Sequence, residues 1–377
     1  MIYQQQPKHE QGQDKMDATK IEVFRQRLMH WYANSHRPMP WKGEKNPYLI
    51  WLSEIILQQT RVEQGLPYFE KFKQAYPTVQ HLADAPEDEV MKLWEGLGYY
   101  SRARNMHATA KFIATDLKGL FPDTYEGILA LKGVGPYTAA AIASFAYDLP
   151  HAVVDGNVFR VLSRFFGIAT PTDSTAGKKL FNDLAQQTLD TTQPGRYNQA
   201  IMDFGATQCT PQLPNCVQCP LQADCVAFQQ KMVDKLPVKT KSIVKKDRFF
   251  YYLVLQYGEE TLLQKRTAKD IWQNLYEFPM LELPAFSTDL DTVQQSAIWQ
   301  QLIGNEIYTI KKISKPYRQI LTHQVVNAIF LEIELQAALP ALEGDLIAVE
   351  RKNWHKFAFP KIIDCYFQDK SLYLNLL

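Results

Sequence analysis

The chain divides into two stretches by the period of its apolar residues. From about residue 17 to 230 they recur at helical spacing in one amphipathic run after another, punctuated by Asn46-Pro47, Pro86, Gly96, Gly119 and Pro122, with few β-branched alternations. That pattern predicts a mostly α-helical domain over 17–230. From 247 to 377 the pattern changes. "FFYYLVLQYGEETLLQKR" sets aromatic and branched residues on both sides of a Gly-Glu-Glu turn, which predicts two strands. "VVNAIFLEIEL" predicts another strand, and "DLDTVQQSAIWQQLIG" reads as helix, so a small α+β domain is expected here. Residues 231–246 read as a basic linker, and residues 1–16 as a disordered lead.

With 377 residues, 46% of them hydrophobic, the chain is long enough to fill two cores. No stretch approaches the apolar length needed to cross a bilayer, and the polar start "MIYQQQPKHEQGQDK" lacks the features of a secretory signal. A cytoplasmic protein with no membrane partner is expected. Net charge is only +1, so a nucleic-acid partner has to be held by a local patch. Residues 231–248, with six lysines and one arginine against two aspartates, are one such patch, and equally a solvated linker.

Four of the five cysteines, Cys209, Cys216, Cys219 and Cys225, follow the spacing C-x6-C-x2-C-x5-C. In a cytoplasmic chain such clustering argues for metal over disulfides. Four thiolates in a tight, proline-containing loop suit tetrahedral zinc or a four-iron, four-sulfur cluster. A zinc ribbon brings two separated C-x-x-C knuckles together, and one such pair exists here, which tilts the choice toward iron–sulfur. Cys365 stands apart and reads as a small buried apolar residue.

Two carboxylates stand in settings that suit chemistry. Glu54 sits in "NPYLIWLSEIILQQT", a nearly apolar helix opened by an Asn cap and a Pro. Loss of hydration there raises a carboxyl's pKa and keeps its proton near neutral pH, as a general acid requires. Asp155, in "HAVVDGNVFRVLSRFFG", reads as a helix N-cap, a setting that favours the ionised form, with Asn157 placed to orient it. One neutral acid and one charged carboxylate are what glycosidic bond cleavage needs, since the leaving group takes a proton and the sugar becomes cationic. A third feature is the Gly-x-Gly turn of "LKGVGPYTAAAIASFAY", where Gly133 and Gly135 precede a helix and leave backbone N–H groups free for an anion.

Together the segments "WLSEIILQQT", "GLGYYSRARN", "LKGVGPYTAAAI", "VDGNV" and the cysteine loop resemble the helix-hairpin-helix DNA glycosylases that carry an iron–sulfur cluster, most closely the A/G-specific adenine DNA glycosylases. The resemblance is strong over 20–230 and weaker over 247–377. It implies a helix-hairpin-helix at about 125–145, one 4Fe-4S cluster in the loop 209–225, and a Nudix-like C-terminal domain over 247–377. The implied substrate is double-stranded DNA with adenine opposite 8-oxoguanine or guanine, acted on by a monomer. In that scheme Gly133, Val134 and Gly135 grip a backbone phosphate, helped by a monovalent cation. Adenine is flipped out, Glu54 protonates its ring, and Asp155, positioned by Tyr137 and Asn157, faces the sugar cation.

Relatives that also cut the strand carry a lysine where this chain has Tyr137, so the resemblance implies a monofunctional glycosylase. It further implies an adenine pocket at Trp41, Lys42 and Gln199, and duplex contacts from Gln59, Thr60, Leu97 and Tyr99. "NLYEFPMLEL" resembles the family's Trp-Glu-Phe-Pro signature with Tyr276 for Trp, and Leu321, Thr322 and His323 stand where relatives sense the oxidised base with Phe-Ser-His. The acidic magnesium box of active Nudix hydrolases is missing, which implies recognition without pyrophosphate hydrolysis. The alternatives are an endonuclease III-like glycosylase/lyase for damaged pyrimidines and a non-catalytic, metal-containing DNA-binding protein.

Overall fold

The computed structural model describes residues 18–35, 37–240, 244–287, 290–340 and 344–374. The expected lead, 1–16, lies outside them. The chain forms two compact units, and the division does not follow the boundary expected near residue 230. The first comprises residues 1–51, 122–130 and 134–241; the second, 52–121, 131–133 and 242–377. The helical stretch is therefore shared between them.

The first unit packs helices Ala18–Ala33, Tyr125–Leu129, Pro136–Tyr147, Gly156–Phe166, Thr175–Thr188 and Pro194–Thr207. Its core gathers Phe24 and Leu28, one helical turn apart, with Ala140, Val161, Phe165, Phe181, Tyr197 and Phe204. Helix starts are fixed by side chains the sequence supplies. Thr124 caps Gly127 N–H, Asp155 caps Val158 N–H, and Ser174 caps Gly177 N–H. Part of the expected linker belongs to this core. Leu236 is buried, its carbonyl accepts from Arg164, and Val238 accepts from Thr172 N. Within 231–240 the segment is thus anchored at Leu236 and Val238, while Lys231, Lys235 and Lys239 remain exposed.

The second unit holds helices Val62–Ala75, Val79–Asp84, Glu87–Trp94 and Ser101–Thr115 together with an eight-stranded sheet. The strands are β1 (Lys246–Tyr257), β2 (Glu260–Lys265), β3 (Tyr276–Glu277), β4 (Met280–Leu283), β5 (Tyr308–Ile313), β6 (Tyr317–Ile320), β7 (Gln324–Leu335) and β8 (Leu346–Glu350). The spine runs β3-β2-β1-β7-β5, with β4 on β1, β6 on β7 and β8 on β2. Strands β1 and β7 pair in parallel from Lys246↔Gln324 to Gln256↔Glu334; the other pairs are antiparallel. Both central strands are covered on two faces, which explains the apolar runs FFYYLVL of β1 and AIFL of β7. Tyr251, Leu253 and Leu255 pack against Val293, Trp299 and Leu302, whereas Tyr252 stacks on Phe330, which stacks on Tyr366 of helix Lys361–Leu374.

One expected helix is two. Ser296 ends Leu290–Gln294 by bonding the Val293 carbonyl and caps Ala297–Leu302 at Trp299 N–H.

Candidate active site

Asp155 is partly buried at the start of Gly156–Phe166. Its Oδ1 accepts from Val158 N–H at 2.8 Å and its Oδ2 from Asn157 Nδ2 at 2.7 Å. Burial pushes its carboxyl above the usual aspartate value, and these donors pull it back only in part. Asn157 Oδ1 in turn accepts from Arg160 Nη2 at 2.9 Å, and a Cβ at Gly205 would lie 2.6 Å from Asn157 Cβ, so only glycine lets helix Pro194–Thr207 approach. Tyr137, expected beside Asp155, donates its hydroxyl to Met202 Sδ at 3.5 Å.

Arg160 and Arg164, one turn apart, bind the cysteine loop. Arg160 donates to the carbonyls of Cys209 (2.8 Å) and Gly205 (2.6 Å); Arg164 donates to Cys209 Sγ (3.4 Å) and to the carbonyls of Thr210 and Pro211. A continuous chain of bonds thus runs from the Asp155 carboxyl through Asn157 and Arg160 to the backbone of Cys209. All four cysteines are free and partly buried. Burial, reinforced by neighbouring thiols, raises Cys216 and Cys225 and pushes Cys219 up to about 12. Such thiols ionise readily only beside a bound cation, so this donor set fits a metal group. Among the described residues no three His, Cys, Asp or Glu side chains converge as a single ion requires.

Glu54 lies in helix Pro47–Leu57, where Ile50, Trp51, Leu52, Ile55 and Ile56 are all buried, and is itself 7% exposed. It belongs to the second unit and Asp155 to the first. Lys42 and Gln199, expected to share a pocket, do meet, through a residue the sequence reading missed. Asp203, 1% exposed, receives Lys42 Nζ at 2.5 Å, Arg37 Nη1 at 2.9 Å and Gln199 Nε2 at 3.2 Å. Beside it a cleft of about 560 Å³ is lined by Tyr32, Arg37, Pro38, Met39, Pro40 and Lys42. Trp41, partly buried, is next to Lys42 in the chain.

Gly133 takes φ +82°, and a Cβ there would lie 2.8 Å from Asn105 Cβ, so the turn demands glycine twice over. Gly135 caps the helix Pro136–Tyr147 and has open space where a Cβ would stand. The Val134 side chain is buried, leaving its backbone as the group for an anion. Gln59 is exposed, Thr60 partly so, and Tyr99 is 46% exposed, but Leu97 is only 5% exposed. Leu97, expected among the duplex contacts, packs its side chain in the core here. Thr322 and His323 occupy the turn between β6 and β7, and Thr322 Oγ1 lies 2.5 Å from the Tyr99 hydroxyl. Two features identified separately in the sequence are joined there.

Residues 52–186 match the HhH-GPD superfamily of base excision DNA repair proteins, and residues 250–368 match the NUDIX domain. The adenine DNA glycosylase of Buchnera aphidicola from Schizaphis graminum is 37% identical over 347 residues, 90% of this chain and 96% of that one. The chain belongs to the adenine DNA glycosylase family. The mouse adenine DNA glycosylase is 44% identical over 224 residues, 57% of this chain and 43% of that relative. Among solved structures, a thermostable thymine-DNA glycosylase superposes with TM-score 0.53 at 29% identity, covering 57% of this chain and 100% of that one. A trapped endonuclease III–DNA covalent intermediate, at 20% identity and TM-score 0.51, shares the fold over 58% of this chain and 99% of that one. The family places the protein among base excision repair enzymes, with a helix-hairpin-helix glycosylase fold and a Nudix-like sheet. Among the described residues no helix is long and apolar enough to cross a membrane.

Proposed function

We propose that this glycosylase removes adenine mispaired with 8-oxoguanine or guanine in duplex DNA, hydrolysing the N-glycosidic bond to leave an abasic site. The observation that carries the reading is a pair of carboxyls in contrasting settings: Glu54 inside an apolar helix, and Asp155 fixed by Val158 N–H and Asn157. The target base leaves the stack before it reacts. Glu54 gives the adenine ring a proton, Asp155 faces the cationic sugar, and water completes the hydrolysis. Gln199 donates to Asp203, which leaves its amide oxygen to accept from adenine's amino group, with Lys42 and Arg37 lining the cleft and Trp41 next to Lys42 in the chain.

The N–H groups of Gly133, Val134 and Gly135 hold a phosphate, with a monovalent cation at the hairpin. Gln59, Thr60 and Tyr99 meet the duplex, and Thr322 and His323 inspect the oxidised guanine. Cys209, Cys216, Cys219 and Cys225 hold one 4Fe-4S cluster, which when bound cross-links the loop through iron–thiolate bonds. Tyr137 offers no amine for a Schiff base, so strand cleavage is not part of the reaction. The protein acts as a monomer.

End-labelled duplexes carrying A:8-oxoguanine, A:G or A:T, assayed with and without hot alkali, test this reading. Adenine release with breaks only after alkali is expected at the first two. Breaks without alkali would make it a lyase, and no release would leave a binding protein. Iron analysis should find about four irons per chain in a brown preparation; one zinc would overturn the cluster.

A further inference from the structure

One buried guanidinium collects the oxygens of two turns. Arg102, 8% exposed, donates from Nη1 to the carbonyls of Ile55 (2.9 Å), Ile56 (2.9 Å) and Gln58 (2.5 Å). From Nη2 it donates to Thr60 Oγ1 (3.3 Å) and to the carbonyls of Leu97 (3.5 Å) and Gly98 (3.2 Å). Every partner is a neutral oxygen. The guanidinium also lies over the rings of Trp94 (5.0 Å) and Tyr99 (5.6 Å). Burial lowers it to about 10, which still leaves it charged at neutral pH.

The two turns it joins hold a cluster of left-handed residues: Gln59 at φ 56°, Gly96 at 93°, Gly98 at 73° and Tyr99 at 49°. Side chains other than glycine persist there only where the surroundings over-determine the backbone. Arg102 supplies that constraint by drawing the turn carbonyls inward, while Gln59 is exposed and Tyr99 is 46% exposed with its hydroxyl at Thr322. A lysine's three donors radiate from one point and cannot span both turns as the planar fork does.

We infer that Arg102 is a positioning residue for base extrusion, locking the Gln59 turn and the Leu97–Tyr99 turn into a single rigid wedge preformed for the duplex. The inference rests on the proposal that these turns meet DNA. Opening a duplex around one base is then done by a ready surface instead of by loops that order on contact.

The test uses the full metal-loaded chain and its Arg102→Lys and Arg102→Gln variants on two duplexes with 2-aminopurine beside the target. One holds adenine opposite 8-oxoguanine; the other holds it in a bulge, already unstacked. Both variants should bind within about 3-fold of wild type by anisotropy, yet lose more than about half of the 2-aminopurine fluorescence rise on the paired duplex. Single-turnover excision at saturating enzyme should fall roughly 30-fold on the paired adenine and under about 5-fold on the bulged one, since the bulge has its unstacking done. Glu54→Gln, as comparator, should keep the fluorescence rise and lose excision on both. Equal losses on the two duplexes, or none, would overturn the inference.

Amide exchange in the free wild-type chain needs neither activity nor a folded variant. Residues 57–60 and 96–100 should open slowly and at matching rates; fast, independent exchange in either segment also overturns the clamp. If wild type releases no adenine at all, the enzyme reading fails while exchange still decides the role of Arg102.

Discussion

Asp203 and Glu277 are both nearly inaccessible carboxylates gripped by basic side chains, one in each unit, and their partners face different things. The partners of Asp203, Arg37 and Lys42, keep 32% and 18% of their side chains exposed and line a cleft. The partner of Glu277, Arg266, is 9% exposed, and Tyr252 caps the carboxylate from inside the sheet. Arg266 also reaches Asp270, which pairs with Arg248, which pairs with Glu282. In the second network each charge is answered by another within the protein; in the first, cations are held at the edge of a space that can take a guest. Burial and pairing alone therefore do not mark a site. What the partners are free to touch does.

Several substitutions would sharpen or break that contrast. Glu54→Gln and Asp155→Asn should produce the largest effects, each lowering single-turnover excision by about 10³-fold or more while duplex binding measured by anisotropy persists. A variant that keeps near-normal excision removes its residue from the mechanism. Glu277→Gln should act on stability instead, costing about 3 kcal/mol in urea denaturation because Arg266 is left short of charge in a closed interior, with the excision rate of folded protein unchanged. A slowed rate at full stability would break the comparison.

Asp203→Asn should do the reverse. Its cations can rehydrate at the cleft, so stability should drop by only about 1 kcal/mol, while excision falls about 20-fold as Gln199 and Lys42 lose their anchor. The smallest effect concerns pH. Asn157 donates to the ionised Asp155, so Asn157→Ala should raise an already raised pKa, and the acid limb of the excision profile should move to higher pH. A downward move would mean that Asp155 does not act as the anion.

Local features were legible in the sequence wherever a short segment carries its own chemistry. Asn46-Pro47 opens the Glu54 helix, Asp155 caps helix Gly156–Phe166, and the cysteines declare their spacing. Partners brought in from afar were not. Asp203 lies 166 residues from Arg37 and 161 from Lys42, and Arg102 reaches carbonyls up to 47 residues back, distances over which no periodicity speaks. Nor does the sequence say that Leu97 turns inward, because a loop leucine looks the same whether it points to solvent or to core. The unit boundary inside helix Pro47–Leu57 escaped for a related reason: a helix carries no mark of which neighbours it will join.

The parallel pairing of β1 with β7 fixes an order of events during synthesis. Helices 62–115 leave the ribosome early, yet Asp88 waits for Lys265 and Tyr276, Arg104 for Gln273, and Glu95 for Phe359 N–H. Strand β1 in turn has no parallel neighbour until residues 324–335 are made. The sheet of the second unit is therefore completed only near the end of translation, and a prematurely terminated chain would leave the central apolar faces of β1 open to aggregation.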